Sequence, residues 1–140
     1  MNLIKTKLDG LVVLKPNIFK DNRGCFMESY NQKNINKLLG NVNFVQDNES
    51  ESTRGVLRGL HLQLINAQAK LITVLYGKIF DVCVDCRKNS KSFGKYFSIN
   101  LSDKDNKSLE IQDIFQHIVK KIKFESITIN ENFQIYCFFV

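Results

Sequence analysis

Ala69-Lys70-Leu71-Ile72-Thr73-Val74-Leu75-Tyr76-Gly77-Lys78-Ile79-Phe80-Asp81-Val82-Cys83-Val84 is the stretch that decides the fold class of this chain. Two short apolar runs, rich in β-branched residues, meet at a single glycine. The spacing predicts strands over residues 69–75 and 78–84, joined as a hairpin through Tyr76-Gly77-Lys78. Upstream, residues 56–63 and the run Gly10-Leu11-Val12-Val13-Leu14 have the same character. Downstream, residues 95–101 follow it and end in a polar turn, Ser102-Asp103-Lys104-Asp105-Asn106. The only proline, Pro16, leads to a turn through Asp21-Asn22-Arg23-Gly24, after which residues 25–30 alternate. One segment breaks the pattern. Over residues 31–39, Ile35, Leu38 and Leu39 fall at helical spacing, and Gly40 stands where a helix C-cap is favoured. Short strands at regular intervals with one small helix predict an all-β antiparallel double-sheet barrel. Residues 127–129 and 133–140 read as two further strands, the second ending in apolar residues.

With 140 residues, 44% of them apolar and 24% charged, the chain fits one globular domain. It contains no apolar run of about 18 residues, so no membrane-spanning helix is expected. The N-terminus lacks the pattern of a signal peptide, and a cytoplasmic location is expected. The net charge of +6 suits anionic partners. The lysines are scattered and accompany no helix-turn-helix or zinc-finger pattern, which favours a small phosphorylated ligand over nucleic acid.

Chemistry concentrates in Arg58-Gly59-Leu60-His61-Leu62-Gln63 and its surroundings. On a strand, Gly59, His61 and Gln63 face one way, while Arg58, Leu60 and Leu62 face the other. The polar face belongs either to a solvated surface or to a lined cavity. Lys70, at the start of an apolar strand, is either a solvated terminal lysine or an amine aimed inward. Asp81 stands in the middle of an apolar run and needs a partner, for which His61 is the candidate; such a dyad would fix the imidazole tautomer. Asp85 shares parity with Arg87 and is expected to pair with it. Cys83 and Cys86 have the spacing of half a zinc ribbon, but no second pair completes it, and strand alternation turns them apart. The four cysteines (Cys25, Cys83, Cys86, Cys137) are therefore expected to be free, buried or half-buried thiols. A metal-binding barrel needs two or three histidines; only His61 and His117 are present, so no metal is expected.

Several motifs in series carry a family resemblance. Asp21-Asn22-Arg23-Gly24-Cys25-Phe26-Met27-Glu28, Phe44-Val45-Gln46-Asp47-Asn48, Gly55-Val56-Leu57-Arg58-Gly59-Leu60-His61-Leu62-Gln63 and Gln68-Ala69-Lys70-Leu71 occur in this order. Asp81-Val82-Cys83-Val84-Asp85-Cys86-Arg87, Ser90, Phe93-Gly94 and Leu101-Ser102 continue the register. Over about residues 1–110 the chain resembles the dTDP-4-dehydrorhamnose 3,5-epimerases. The resemblance implies a single jelly-roll cupin domain over residues 1–140, a double-stranded β-helix, forming a homodimer with exchanged N-terminal strands. It implies a cofactor-free reaction on a dTDP-4-keto-6-deoxyhexose, in which a proton leaves carbons 3 and 5 and returns to the opposite face. His61 matches the base and Lys70 the cation beside the enolate oxygen. Tyr136 is the candidate acid, and its other reading is a plain strand aromatic. Arg23, Glu28, Gln46, Asn48, Arg58 and His117 match positions that hold the nucleotide sugar; Asp81 is the candidate substitute for the family's supporting carboxylate.

The match frays over residues 107–140. Ile111-Gln112-Asp113-Ile114-Phe115-Gln116-His117-Ile118 keeps the family's Ile, Phe and His but lacks its Pro and both Gly. Family members continue past this length into a carboxylate that supports the histidine. The resemblance therefore implies a shortened or degenerate member, and a second reading is an inactive sugar-nucleotide-binding or interaction protein.

Overall fold

The computed structural model describes residues 1–62, 67–111, 115–120 and 133–139. The expected strand over residues 127–129, and Gln63, lie outside the described residues. In chain order the elements are β1 (Asn2–Lys5), β2 (Leu11–Lys15), β3 (Ile18–Asp21), β4 (Gly24–Met27), α1 (Gln32–Leu39), β5 (Gln46–Ser52) and β6 (Leu57–His61). They continue with β7 (Lys70–Tyr76), β8 (Lys78–Asp85), β9 (Tyr96–Ser102), β10 (Ser108–Ile111), β11 (Phe115–Lys120) and β12 (Phe133–Phe139).

Two sheets build the body. One has six strands in the order β1-β2-β10-β7-β12-β5, the other four in the order β6-β11-β8-β9, and every pairing is antiparallel. Strands β3 and β4 form a separate hairpin. This is the antiparallel double-sheet barrel that the strand spacing implied and the jelly-roll cupin that the resemblance implied.

Alternation assigns the faces. In the six-stranded sheet Leu11, Val13, Leu109, Ile72 and Val74 point inward and meet Ile79, Cys83 and Leu101 of the other sheet in one buried cluster. Each fully buried aliphatic side chain there contributes about 1.5–3 kcal/mol relative to exposure. The opposite face carries Leu14 and Leu71, which Ile35 of α1 covers with Leu38 and Leu39 beside it. α1 begins where Asn31 Oδ1 accepts the Asn34 N–H at 3.2 Å, satisfying one orphan donor of the first turn. It ends where the Gly40 N–H donates to Asn36 O at 3.0 Å.

Three expectations are corrected. Strands β7 and β8 do not form a hairpin. Gly77, at φ +83°, turns the chain out of one sheet and into the other, a conformation that side-chain-bearing residues rarely adopt. The Asp103 N–H closes this corner on Gly77 O at 3.1 Å. Cys25, expected to be at least half-buried, is exposed, because the β3–β4 hairpin projects from the body with Phe19 and Phe26 also exposed. The parity of β6 also differs. Gly59, at φ +107°, forms a bulge, so His61 pairs with His117 while Arg58, three residues earlier, pairs with Val119 only two residues later. The extra residue puts Arg58 and His61 on the same side of the strand.

Candidate active site

The inner face of the four-stranded sheet is built of rungs. One rung runs Phe97, Cys83, His117, His61 across β9, β8, β11 and β6. The next runs Ile99, Asp81, Val119, Arg58. Cys83 is wholly buried in the core facing Ile72 and Val74, so both rungs look toward the six-stranded sheet. That sheet answers with rungs of its own. Gln46, Phe139 and Lys70 form one, and Asn48, Cys137 and Ile72 the next, across β5, β12 and β7. Alternation along β7 puts Lys70 on the face of Ile72 and Val74, half-buried at the end of the apolar cluster. The interior reading of Lys70 therefore holds.

The fold thus gathers His61, Arg58, Lys70, Gln46, Asn48 and Asp81 on two facing surfaces, whose sheets stack at about 10 Å. His61 and Arg58 are exposed, as an open mouth requires. Arg58 is held across it: Nε donates to Ser52 Oγ at 2.9 Å and Nη2 to Glu51 O at 3.1 Å. Gln46 Nε2 donates to Asn48 Oδ1 at 3.2 Å along the exposed strand β5. Polar donors at the mouth and apolar Phe97 and Ile99 on the far wall suit an amphipathic ring with an anionic tail.

Asp81 is not beside His61. The two are separated by β11 and offset by one rung, about 10 Å across two strand spacings alone, beyond the reach of a direct hydrogen bond. The position opposite His61 is His117. Asp81 is instead wholly buried on β8, where Cys83 Sγ donates to its Oδ1 at 3.9 Å. Burial, followed by the Asp81 charge, pushes the Cys83 thiol far above its ordinary range, while the charge of Lys70 acts in the other direction. Cys83 was read from the sequence only as a structural thiol; its shared parity with Asp81 was the signal that it lines the same face.

Arg23 and Glu28 lie apart from this cavity. Arg23 sits at the tip of the β3–β4 hairpin, where Asp21 Oδ2 accepts from its Nη2 at 2.7 Å, and its side chain is 86% exposed. Glu28 follows β4 and accepts from Asn34 Nδ2 at 2.7 Å and Asn31 Nδ2 at 2.9 Å. These amides hold its carboxyl below the usual range. Tyr136 pairs in register with Thr73 and Glu49, positions that alternate with the row of Lys70, Ile72 and Val74.

The expected Asp85–Arg87 pair is present and larger than expected. Asp85, wholly buried at the end of β8, accepts from Arg87 Nε at 2.9 Å and Nη2 at 2.7 Å. Ser90 Oγ and Ser92 Oγ donate to it as well, each at 2.6 Å. Arg87 Nη2 also donates to Asp9 O at 2.8 Å, tying this loop to the β1–β2 connection.

Comparison with known proteins agrees with this geometry. The family model described as dTDP-4-dehydrorhamnose 3,5-epimerase matches residues 5–129. The chain is 50% identical over 119 residues to the dTDP-4-dehydrorhamnose 3,5-epimerase of Shigella flexneri, covering 84% of this chain and 66% of that one. It is 47% identical over 114 residues to the enzyme of that name from Methanothermobacter thermautotrophicus, covering 81% and 62%. The chain therefore spans a little under two thirds of the length of these relatives. Among solved structures, the dTDP-4-dehydrorhamnose 3,5-epimerase of Elizabethkingia anophelis superposes with a TM-score of 0.88 at 39% identity, covering 99% of this chain and 73% of that one. The dTDP-6-deoxy-D-glucose-3,5-epimerase of Legionella pneumophila, in complex with dTDP-4-keto-L-rhamnose, also gives 0.88, at 37% identity and coverages of 99% and 70%. Sequence motifs in series, the two-sheet barrel and a model matching most of the chain converge, and the chain belongs to the dTDP-4-dehydrorhamnose 3,5-epimerase family.

Proposed function

We propose that this chain catalyses epimerisation at carbons 3 and 5 of a dTDP-4-keto-6-deoxyhexose, in the supply of dTDP-L-rhamnose or a related deoxysugar. What supports the reading is strand register: it sets His61 on β6 and Lys70 on β7, on the inner faces of the two packed sheets. A ketone at carbon 4 acidifies the hydrogens on both neighbouring carbons. A base and a positive charge near the ketone oxygen are enough to form the enolate. His61 is the base, since an imidazole near neutrality takes and returns a proton with little driving force lost. Lys70 supplies the charge, worth about 3–4 kcal/mol of barrier for a preorganised oxyanion partner. Gln46, Asn48, Arg58 and His117 hold the nucleotide sugar, Arg58 through its guanidinium toward diphosphate oxygens.

Arg23 and Glu28 act on the neighbouring chain's cavity in a homodimer; the separate β3–β4 hairpin, with Arg23 exposed at its tip and Glu28 just after it, supports this arrangement. Tyr136 is the candidate for the proton returned from the opposite face, but its row alternates with that of Lys70, which supports its other reading as a strand aromatic. Its register beside Thr73 rather than in the Lys70 row makes Tyr136→Phe the direct test of that role. The reading as a whole is tested in deuterated water, following solvent exchange at carbons 3 and 5 and formation of inverted product by NMR. Exchange at both carbons is expected. A chain that binds the nucleotide sugar but exchanges neither proton would refute the reading in favour of a binding protein.

A further inference from the structure

Cys83 occupies the centre of the rung that ends at His61, and its neighbour on the same face of β8 is Asp81. Both side chains are wholly buried, and Sγ lies 3.9 Å from Oδ1. Burial keeps the thiol protonated, so it serves as a weak hydrogen-bond donor and not as a nucleophile. Lys70 stands in the β7 row of Ile72 and Val74, which pack against Cys83, so ammonium, carboxylate and thiol all belong to the inner faces of the two sheets. Among the described side chains, the neighbouring positions by register are Asp85 along β8, His61 and Arg58 on β6, and Phe97 and Ile99 on β9.

We infer that Cys83 is a positioning residue: its thiol pins the Asp81 carboxylate and so sets where negative charge stands against the Lys70 ammonium. This rests on the role proposed for Lys70 beside the enolate oxygen. A buried carboxylate has two oxygens to satisfy, and its rotamer decides how closely an ammonium can approach it. A donor on Oδ1 holds one rotamer and draws off part of its charge. Without that donor, Asp81 turns toward Lys70 and pulls the ammonium away from the ketone. The loss then appears in the chemical step and not in substrate binding.

Two measurements test this. In the S–H stretching region of the infrared spectrum, the band abolished by Cys83→Ala is expected at lower frequency than the bands of the other thiols. It should move upward in Asp81→Asn. In the exchange assay, Cys83→Ala is expected to lower kcat by about 3- to 10-fold, the worth of one modest hydrogen bond. KM should stay within about twofold, the pattern for an interaction made in the transition state. Cys83→Ser, which restores a donor of similar size, should recover most of the rate, while Cys86→Ser should leave it unchanged. A Cys83 band at the frequency of the other thiols that does not move in Asp81→Asn would overturn the inference, as would full activity in Cys83→Ala. The spectroscopic arm does not depend on turnover. A shifted band in a chain that exchanges no proton would support the thiol–carboxylate pair and count against the epimerase reading.

Discussion

Replacing Asp85 by asparagine should destabilise the fold strongly, because five donors converge on its buried carboxylate. Oδ1 accepts from the Arg87 N–H and Nε, and Oδ2 accepts from Arg87 Nη2, Ser90 Oγ and Ser92 Oγ. An amide NH2 placed at either oxygen's position meets only donors already aimed at it, and Arg87 loses its counter-charge. Breaking a buried pair from one side costs about 3–5 kcal/mol. The Arg87 side chain is 22% exposed and the serine hydroxyls can rotate, so water and reorientation recover part of this. We expect a cost of about 2–4 kcal/mol. At about 3–4 °C per kcal/mol for a domain of this size, the melting temperature should fall by about 6–16 °C.

The pH dependence has a definite sign. The Arg87 hydrogen bonds, helped by Ser90 and Ser92 against the opposing effect of burial, hold the Asp85 carboxyl far below the usual range. A depressed folded-state pKa gives stability that is fully present above the unfolded value, about 3.9, and is lost as pH falls toward the folded value. Between about pH 4 and pH 2 the wild-type chain should therefore lose stability more steeply than Asp85→Asn. Urea unfolding followed by far-ultraviolet circular dichroism measures both, and suits a chain without tryptophan. A cost below about 1 kcal/mol, or equal acid slopes in the two proteins, would refute the reasoning.

Gly59→Ala places a Cβ on a backbone at φ +107° and should cost about 1–2 kcal/mol. By disturbing the shared face of Arg58 and His61, it should also slow exchange, which a melt and the deuterium assay read separately. His61→Ala should abolish exchange at carbons 3 and 5 together, and separate loss at one carbon would mean two bases. Lys70→Ala should slow exchange by about a hundredfold or more, and an unchanged rate would remove it from the mechanism. Light scattering at micromolar concentration should give a dimer mass, and a monomer would count against Arg23 and Glu28 serving a neighbouring cavity.

The elements themselves were largely legible in the sequence, because they rest on local physics. Helix α1 starts after Asn31 and stops before Gly40, as its caps and its Ile35, Leu38, Leu39 spacing imply. The alternation of β8 correctly set Asp81, Cys83 and Asp85 on one face and turned Cys86 away. Partnership was less legible. The runs flanking Gly77 look like a hairpin from either side, and only the facing sheets decide that each strand pairs elsewhere. The parity of Arg58 failed for a related reason, since one bulged glycine reverses the count and glycine has no side chain to betray it. Asp81 was matched to His61 because both needed partners, but need carries no information about the intervening strand β11. Family resemblance named the cavity residues that periodicity alone could not choose among, such as Gln46 and Asn48 on an exposed polar strand.

The corner at Gly77 has a consequence for how the chain reaches this fold. Because β7 turns away from β8, its partners come from much later in the chain: Thr73 pairs with Ser108 and with Tyr136. Such distant pairings make loop closure entropically costly and folding slow. Strand β5 waits longest, since among the described residues its one neighbour in the sheet is β12, inserted between it and β7. During synthesis, β5 therefore emerges from the ribosome long before anything can pair with it, the situation in which an extended segment recruits another nascent chain. Its sequence, Gln46-Asp47-Asn48-Glu49-Ser50-Glu51-Ser52, has no apolar side chain and places three carboxylates on alternate residues. Like charges repel a second copy laid alongside in register, so this strand guards itself against aggregation until β12 arrives.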